Sequence, residues 1–387
     1  MKKVTSKSIS QSTLMAVGTV SSQISIKNLV TLKKREMIRY IAEDQRIYVG
    51  LEDSKKTWKI CVRAIGTIIH ELSMKASYPN LKKYLVERYK NCEIHIVYEA
   101  GFRGFNLYDD LMADGYNCIV TPPHTLPQPK CSKVKTDLSD ARLLAKALES
   151  DNCKVCHIPD KQRRIDRQVC RTELMLTRRI ISYRNMIRKF LEFHGIELDI
   201  PEPQKWTKRT FRYLRSLKLE PDLKFELDLR VDLLEMYWEK QKYYRSKLSD
   251  IAKEEQYRRW DEIAQSVPGI GKLTSIRLLL ELGDLRRFHS GQAIAQFVGL
   301  GTSEYSTGAT IRKGSITKLG NRYIRSWLIE ASWIAKRKDP AILKFFENVL
   351  RNTGDSRKAI VAVARKLIVR LRSCIVNDEK YILCVAK

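Results

Sequence analysis

Asp137 and Asp140 stand three residues apart in Thr136-Asp137-Leu138-Ser139-Asp140-Ala141-Arg142. Leu138, Ala141, Leu144, Ala145 and Leu148 recur at helical spacing, which predicts a helix with Thr136 as its N-cap. Both carboxylates then leave one face of the first turn. Alone, such a pair would complement the positive end of the helix dipole. Two further acids change that reading. Glu52 closes the strand-like run Ile47-Tyr48-Val49-Gly50-Leu51, and Glu99 closes Ile94-His95-Ile96-Val97-Tyr98 just before Gly101. In a sheet flanked by helices, ligands collect at the carboxyl ends of strands. The four carboxylates are therefore expected at one edge. Hard oxygen donors of this kind suit Mg²⁺, with Mn²⁺ as the alternative. Paired ions so held activate an attacking oxygen and stabilise a leaving oxygen in phosphoryl transfer.

A second group of reactive side chains lies far along the chain. Ser306 and Thr307 precede Gly308, and Arg312, Lys313 and Lys318 follow. Hydroxyls beside a glycine turn, with cations after them, suit a nucleophile held against a scissile phosphate. Reactivity favours the primary alcohol of Ser306, while registration on Gly308 favours Thr307. Upstream, Val267-Pro268-Gly269-Ile270-Gly271-Lys272 has the form of a helix-hairpin-helix turn. There Gly269 and Gly271 would let the backbone approach phosphate, with Lys272 beside it.

Charge and length frame these groups. The chain has 387 residues, enough for two or three domains, and 43% of them are apolar. Lys and Arg number 72 against 44 Asp and Glu, a net charge of +28. Such an excess calls for a polyanion, nucleic acid before an anionic membrane surface. No apolar run reaches the roughly 18 residues of a membrane span. Basicity concentrates in residues 263–387, with 22 cations against 9 acids, whereas residues 46–160 hold 17 against 14. The carboxylate segment is thus nearly neutral. Nine cysteines without a regular framework suit a reducing compartment, so a cytoplasmic, nucleoid-associated location is expected. Cys153-Lys154-Val155-Cys156-His157 matches a haem-attachment string but lies in a strand-like stretch, 154–159, without an export signal.

The elements that must position these residues follow from periodicity. Residues 1–45 read as a basic, poorly ordered leader. Residues 46–160 read as three strands followed by alternating helix and strand, a mixed α/β sheet with flanking helices. Residues 161–264 read as a helical hairpin or coiled coil. One helix runs from about Arg164 to Phe193 with Leu174, Ile181 and Arg188 at heptad spacing, and the other covers about 222–264. The connector Trp206-Thr207-Lys208-Arg209-Thr210-Phe211 suits either base stacking or packing on the hairpin. Residues 265–387 read as an α-helical C-terminal domain carrying the nucleophile loop.

Three strings now carry a resemblance: Tyr48-Val49-Gly50-Leu51-Glu52, Val97-Tyr98-Glu99-Ala100-Gly101 and Val134-Lys135-Thr136-Asp137-Leu138-Ser139-Asp140-Ala141-Arg142. They resemble the RuvC-like (RNase H-like) DEDD domain of Piv/MooV-type transposases of the insertion-sequence-one-ten family, the bridge-RNA-guided recombinases. The resemblance resumes at Val267-Pro268-Gly269-Ile270-Gly271 and continues through Gly299-Leu300, Gly314 to Asn321, and Arg325, with the blocks in family order. It implies a DNA transposase that cleaves and rejoins strands with Mg²⁺ at Glu52, Glu99, Asp137 and Asp140. It further implies a covalent Ser/Thr–DNA link, a structured guide RNA, and a homodimer or homotetramer built through the hairpin. Lys135, Gly269, Gly271, Lys272, Arg312, Lys313, Lys318 and Arg325 would contact nucleic acid. Two departures stand out: the family's first aspartate falls on Glu52, and its usual serine falls on Thr307. Two other functions fit the same residues. One is a RuvC-like nuclease using metal-activated water, and the other a catalytically decayed nucleic-acid-binding protein.

Overall fold

A computed structural model describes residues 45–123, 136–198, 206–304 and 313–383. These fall into two compact units divided at Ile158/Pro159. Among the described residues no helix is long and apolar enough to cross a membrane.

The first unit is a five-stranded mixed sheet in the order β3-β2-β1-β4-β5. Strands β1 (Arg46–Asp53), β2 (Thr57–Ala64) and β3 (Thr67–Lys75) pair antiparallel, while β4 (Glu93–Glu99) and β5 (Asn117–Thr121) run parallel to β1. Each parallel step needs a crossover helix. These are α1 (Tyr78–Arg88) and α2 (Asn106–Ala113), whose Leu81, Leu85, Leu107 and Leu111 pack with Val49, Leu51, Ile96 and Tyr98 on one face. Helix α3 (Asp137–Glu149) covers the other face. Thr136 caps it as expected: its hydroxyl accepts from the Ser139 N–H at 3.2 Å, and Ser139 Oγ accepts from the Thr136 N–H at 3.1 Å. The 154–159 stretch forms no strand; it donates one backbone bond, Cys156 N–H to the Val120 carbonyl at 2.7 Å.

Gly50 sets how closely α3 sits. A Cβ at this position would lie 2.2 Å from the Ala141 carbonyl oxygen and 2.4 Å from the Ala145 nitrogen. Helix backbone and strand backbone touch there, and Ala141 and Ala145 on the helix side are both fully buried.

The second unit begins with a helical hairpin. Helix α4 (Lys161–Phe193) packs antiparallel on α6 (Pro221–Ile251), with α5 (Lys208–Ser216) in the connection. The buried side of α4 runs through Asp166, Cys170, Glu173, Leu174, Ile180, Ile187 and Leu191, and Leu174 packs with Leu248 and Ile251 of α6, whereas Ile181 and Arg188 lie off it. Ile181 is 52% exposed. The reason is that Glu173 occupies a seam position. Its fully buried carboxylate pairs with Arg245 Nε at 3.0 Å and with Arg277, and accepts from Thr177 Oγ1 at 3.1 Å. Trp206 and Phe211 of the connector are buried against the hairpin, so they pack rather than offer open stacking faces.

The expected second long helix is two helices. α6 ends at Ile251, and α7 (Glu255–Ser266) starts after an extended Glu254 and joins the C-terminal core through Ile263 and Ala264. That core also gathers α8 (Lys272–Leu282), α9 (Gly291–Phe297), α10 (Arg322–Lys338), α11 (Pro340–Thr353) and α12 (Ser356–Val376). A two-stranded ribbon, β6 (Thr302–Glu304) with β7 (Lys313–Ile316), projects between α9 and α10 in the chain.

Gly50→Ala should cost about 3 kcal/mol or more, because the added carbon meets backbone atoms that cannot rotate away. The urea midpoint of the first unit's transition measures this. An unchanged midpoint would show that α3 is not seated on β1 as described.

Candidate nucleic-acid-processing site

Three rows across the sheet fix where the first turn of α3 lies. In the first row Tyr48 pairs with Arg63, whose Nε donates to Glu149 Oε2 at 2.7 Å, at the last residue of α3. In the second, Gly50, Cys61 and Glu71 align. Gly50 abuts Ala141 and Ala145, and Arg142 Nη2 donates to Glu71 Oε2 at 2.8 Å. The helix therefore runs antiparallel to β1, advancing from its last turn toward its first as β1 advances. The third row, Glu52, Lys59 and Ser73, comes under the turn that carries Asp137 and Asp140.

Glu99 joins this edge through the parallel pairing of β4. Gly50 aligns with Val97 and Leu51 with Tyr98, so Glu99 is the next position beside Glu52. Val97 packs with Leu144, Ala147 and Leu148, which places Val97 on the α3 face, and alternation places Glu99 there too. Backbone geometry thus brings all four acids to one sheet edge. Asp137 is exposed, and Glu52, Glu99 and Asp140 are half-buried. Among the described residues, however, no group of three or more His, Cys, Asp or Glu stands close enough to hold a metal ion. The edge is shared, but the carboxylate oxygens are not gathered. As a donor set they fit a hard cation: four carboxylates, with neither thiol nor imidazole.

Asp53 lies on the opposite face. Trp58 Nε1 donates to its Oδ1 at 2.6 Å and Arg103 Nε lies 3.4 Å away. Burial holds the Asp53 carboxyl above its ordinary value, against the pull of the Trp58 bond and of Arg103. A residue that sequence reasoning missed is Lys59. It aligns with Glu52 on the α3 face, its Nζ donating to Ser73 Oγ at 2.9 Å. Only the strand register reveals it, because a lysine in an alternating strand carries no signal of its own.

In the second unit, Ser306, Thr307 and Arg312 lie outside the described residues, as does Lys135 in the first. The ribbon that carries the 305–312 segment is described: Thr302 aligns with Ile316 and Glu304 with Lys313. Its base is closed by Thr317 N–H to the Gly301 carbonyl at 2.9 Å and Lys318 N–H to the Gly299 carbonyl at 3.2 Å. Arg325 Nη1 donates to the carbonyls of Val298 at 3.1 Å and Gly320 at 3.2 Å, binding that base to α10. Lys318 is exposed, at a φ of 56°. In the α7–α8 turn, Gly269 has a φ of 87°, and a Cβ there would lie 2.1 Å from the Ala331 carbonyl oxygen. Its close approach is therefore to α10. Gly271 and Lys272 are exposed at the start of α8.

Comparison with known proteins gives one family model, the transposase IS116/IS110/IS902 family, matching residues 261–347. That stretch runs from α7 to α11 and includes the ribbon. The chain is 28% identical over 262 residues to the transposase for insertion sequence element IS1533 of Leptospira borgpetersenii, covering 65% of this chain and 74% of that protein. It is 24% identical over 278 residues to the IS1111A transposase of Coxiella burnetii, covering 68% and 72%. The pilin gene-inverting protein of Moraxella lacunata is 23% identical over 337 residues, covering 84% of this chain and 94% of that one.

If the shared edge is the ion site, Glu52→Gln should weaken Mn²⁺ binding about tenfold or more. Asp53→Asn should leave it unchanged, since that side chain serves the other face. Calorimetric titration of both variants decides, and the reverse pattern would move the site to Asp53.

Proposed function

We propose that the chain is a transposase of the IS116/IS110/IS902 kind, whose family model matches residues 261–347, and that it cuts and rejoins DNA by metal-assisted phosphoryl transfer. The observation that carries this reading is the alignment of Glu52 and Glu99 on neighbouring parallel strands under the first turn of α3. Strand order β3-β2-β1-β4-β5, with three antiparallel strands and two parallel ones, supports a RuvC-like assignment for the first unit.

In this reading Glu52, Glu99, Asp137 and Asp140 hold Mg²⁺ or Mn²⁺. Held there, such an ion would supply charge neutralisation at the scissile phosphate and at the leaving oxygen. The nucleophile is a hydroxyl of the 305–312 segment, Ser306 or Thr307. It attacks phosphorus, forms a protein–DNA phosphodiester and releases a DNA hydroxyl. A second DNA hydroxyl reverses the step and restores the side chain. Lys313 and Lys318, with Arg312, would offset phosphate charge near the ribbon.

Rejoining favours a protein hydroxyl over water. Relatives described as insertion-element transposases and a gene-inverting protein carry out reactions in which broken DNA must be resealed. An ester to the protein conserves the energy of the phosphodiester, whereas hydrolysis discards it. A structured RNA choosing the DNA, and a dimer or tetramer through α4 and α6, complete the proposal. Recovery of a discrete RNA with the purified protein is the test of the first.

Asp137→Asn and Asp140→Asn should each lower strand cleavage by about a hundredfold or more while DNA binding persists, since the amide keeps shape but loses the charge that holds a cation. A nicked DNA that traps the intermediate, followed by digestion and mass spectrometry, should show phosphate on Ser306 or Thr307. Full cleavage in a Ser306→Ala/Thr307→Val variant would exclude the hydroxyl and leave metal-activated water.

A further inference from the structure

A groove in the second unit, about 480 Å³ in volume, lies between one face of α4 and the start of α10. Arg167, Arg171 and Arg178 supply its α4 wall; Tyr323 and Phe297 line it from α10 and α9. At spacings of four and seven residues the three arginines follow one side of the helix. Glu281 is the acid among the lining residues, with a side chain 2% exposed. It accepts from Arg167 Nη2 at 3.0 Å, Arg171 Nε at 2.9 Å and Asn321 Nδ2 at 3.1 Å. Three guanidiniums against one carboxylate leave the groove cationic, and each guanidinium carries five N–H donors. Glu281 therefore orients Arg167 and Arg171 without exhausting them.

The groove is also aromatic. The Arg178 guanidinium lies 4.3 Å from the centre of the Tyr323 ring, and Trp327 stacks against the same tyrosine at 6.3 Å and 27°. Phe297 is 42% exposed and Met175, on the α4 wall, 48%. Cations in a row with flat apolar surfaces between them match a phosphodiester backbone with an unstacked base. A duplex keeps its bases stacked and offers no base face to the rings.

We propose that this groove binds an unstacked nucleotide of a single-stranded nucleic acid, phosphates on the α4 arginines and base on the exposed ring of Phe297 beside the Arg178–Tyr323 pair. The proposal rests on the reading of the chain as a DNA-processing enzyme and adds to it a binding site within the second unit. It implies that a frayed or displaced strand, or an RNA loop, is gripped by the helical unit.

The test uses the full chain, a short fluorescein-labelled single strand and its duplex, with anisotropy measured over a KCl series. Arg178→Ala should weaken single-strand binding and reduce its salt slope by about 0.7, one phosphate contact. Phe297→Ala should weaken it about tenfold with the slope unchanged, as loss of one stacking face predicts. Duplex binding should not change in either variant. A strand carrying 5-iodouridine should crosslink to a peptide containing Tyr323 or Phe297, a readout that needs no variant to fold. Single-strand affinity unaffected by both substitutions, or crosslinks confined to other peptides, would overturn the site. If duplex binding persisted in that case, only this site would fall; a wild-type chain that bound neither probe would remove the DNA-processing reading as well.

Discussion

No side chain fits at position 50. The carbonyl of Ala141 and the nitrogen of Ala145 lie where a Cβ would be, so strand and helix meet backbone to backbone. Much in the first unit follows from that contact. A helix seated this closely has little freedom to slide or roll, because packed interiors resist displacement. Its axis is then pinned at both flanks of the contact, by Arg63 to Glu149 near its end and by Arg142 to Glu71 nearer its start. The first turn is what remains, and its place over the third sheet row is set by the rest. The acids at this edge are positioned by a glycine and two alanines buried in the strand–helix contact.

The second unit solves its positioning problem with charge. Glu173 and Glu281 are both buried, and each is answered by two arginines: Arg245 and Arg277 for the first, Arg167 and Arg171 for the second. Burying an ion pair gains little net stability, because desolvation offsets the attraction. Losing one partner is costly, and that asymmetry makes such pairs good at fixing register. Glu173 fixes α4 against α6 and α8 together. Glu281 ties α4 to Asn321, whose side chain caps α10 by accepting from the Tyr323 N–H at 2.9 Å. Coupling through Glu281 thus reaches the point where the chain leaves the ribbon and enters α10.

These two solutions explain what could be read in the sequence and what could not. The strand runs ending at Glu52 and Glu99, the Thr136 cap and the Asp137/Asp140 turn were legible because they depend on apolar alternation and local capping. Strand alternation turns Asp53 to the face opposite Glu52, and Trp58 and Arg103 meet it there. The α4 seam was legible only in part: Leu174 is buried against α6, but a pattern that counts apolar residues passes over Glu173 and continues onto Ile181, which is exposed. The end of α6 at Ile251 was missed for a related reason: Ala252-Lys253-Glu254 contains neither glycine nor proline, and tertiary packing of α7 decides the break. The turn motif around Gly269 points to a phosphate contact, whereas its glycine is required by packing on α10. Its partner, the Ala331 carbonyl, is 62 positions away and leaves no local trace.

The departure at position 52 acquires a physical meaning in this fold. A glutamate reaches one methylene further than an aspartate, and a hard cation with near-ideal octahedral demands does not absorb the difference easily. The strand cannot retreat to compensate. β1 is paired on one side to β2 and on the other to β4, and Gly50, two residues before Glu52, is pressed against α3. Adjustment must therefore come from side-chain torsions of Glu52 itself or from the first turn of α3. That turn is the looser party: Asp137 is exposed, and the close-packed part of the helix begins only at Ala141. In the proposed ion site, a longer side chain on the rigid strand, opposite shorter ones on the adjustable helix end, would allow an octahedral arrangement without disturbing the contact at Gly50. On this argument Glu52 is compatible with the ion-binding role, its extra reach taken up by the first turn of α3.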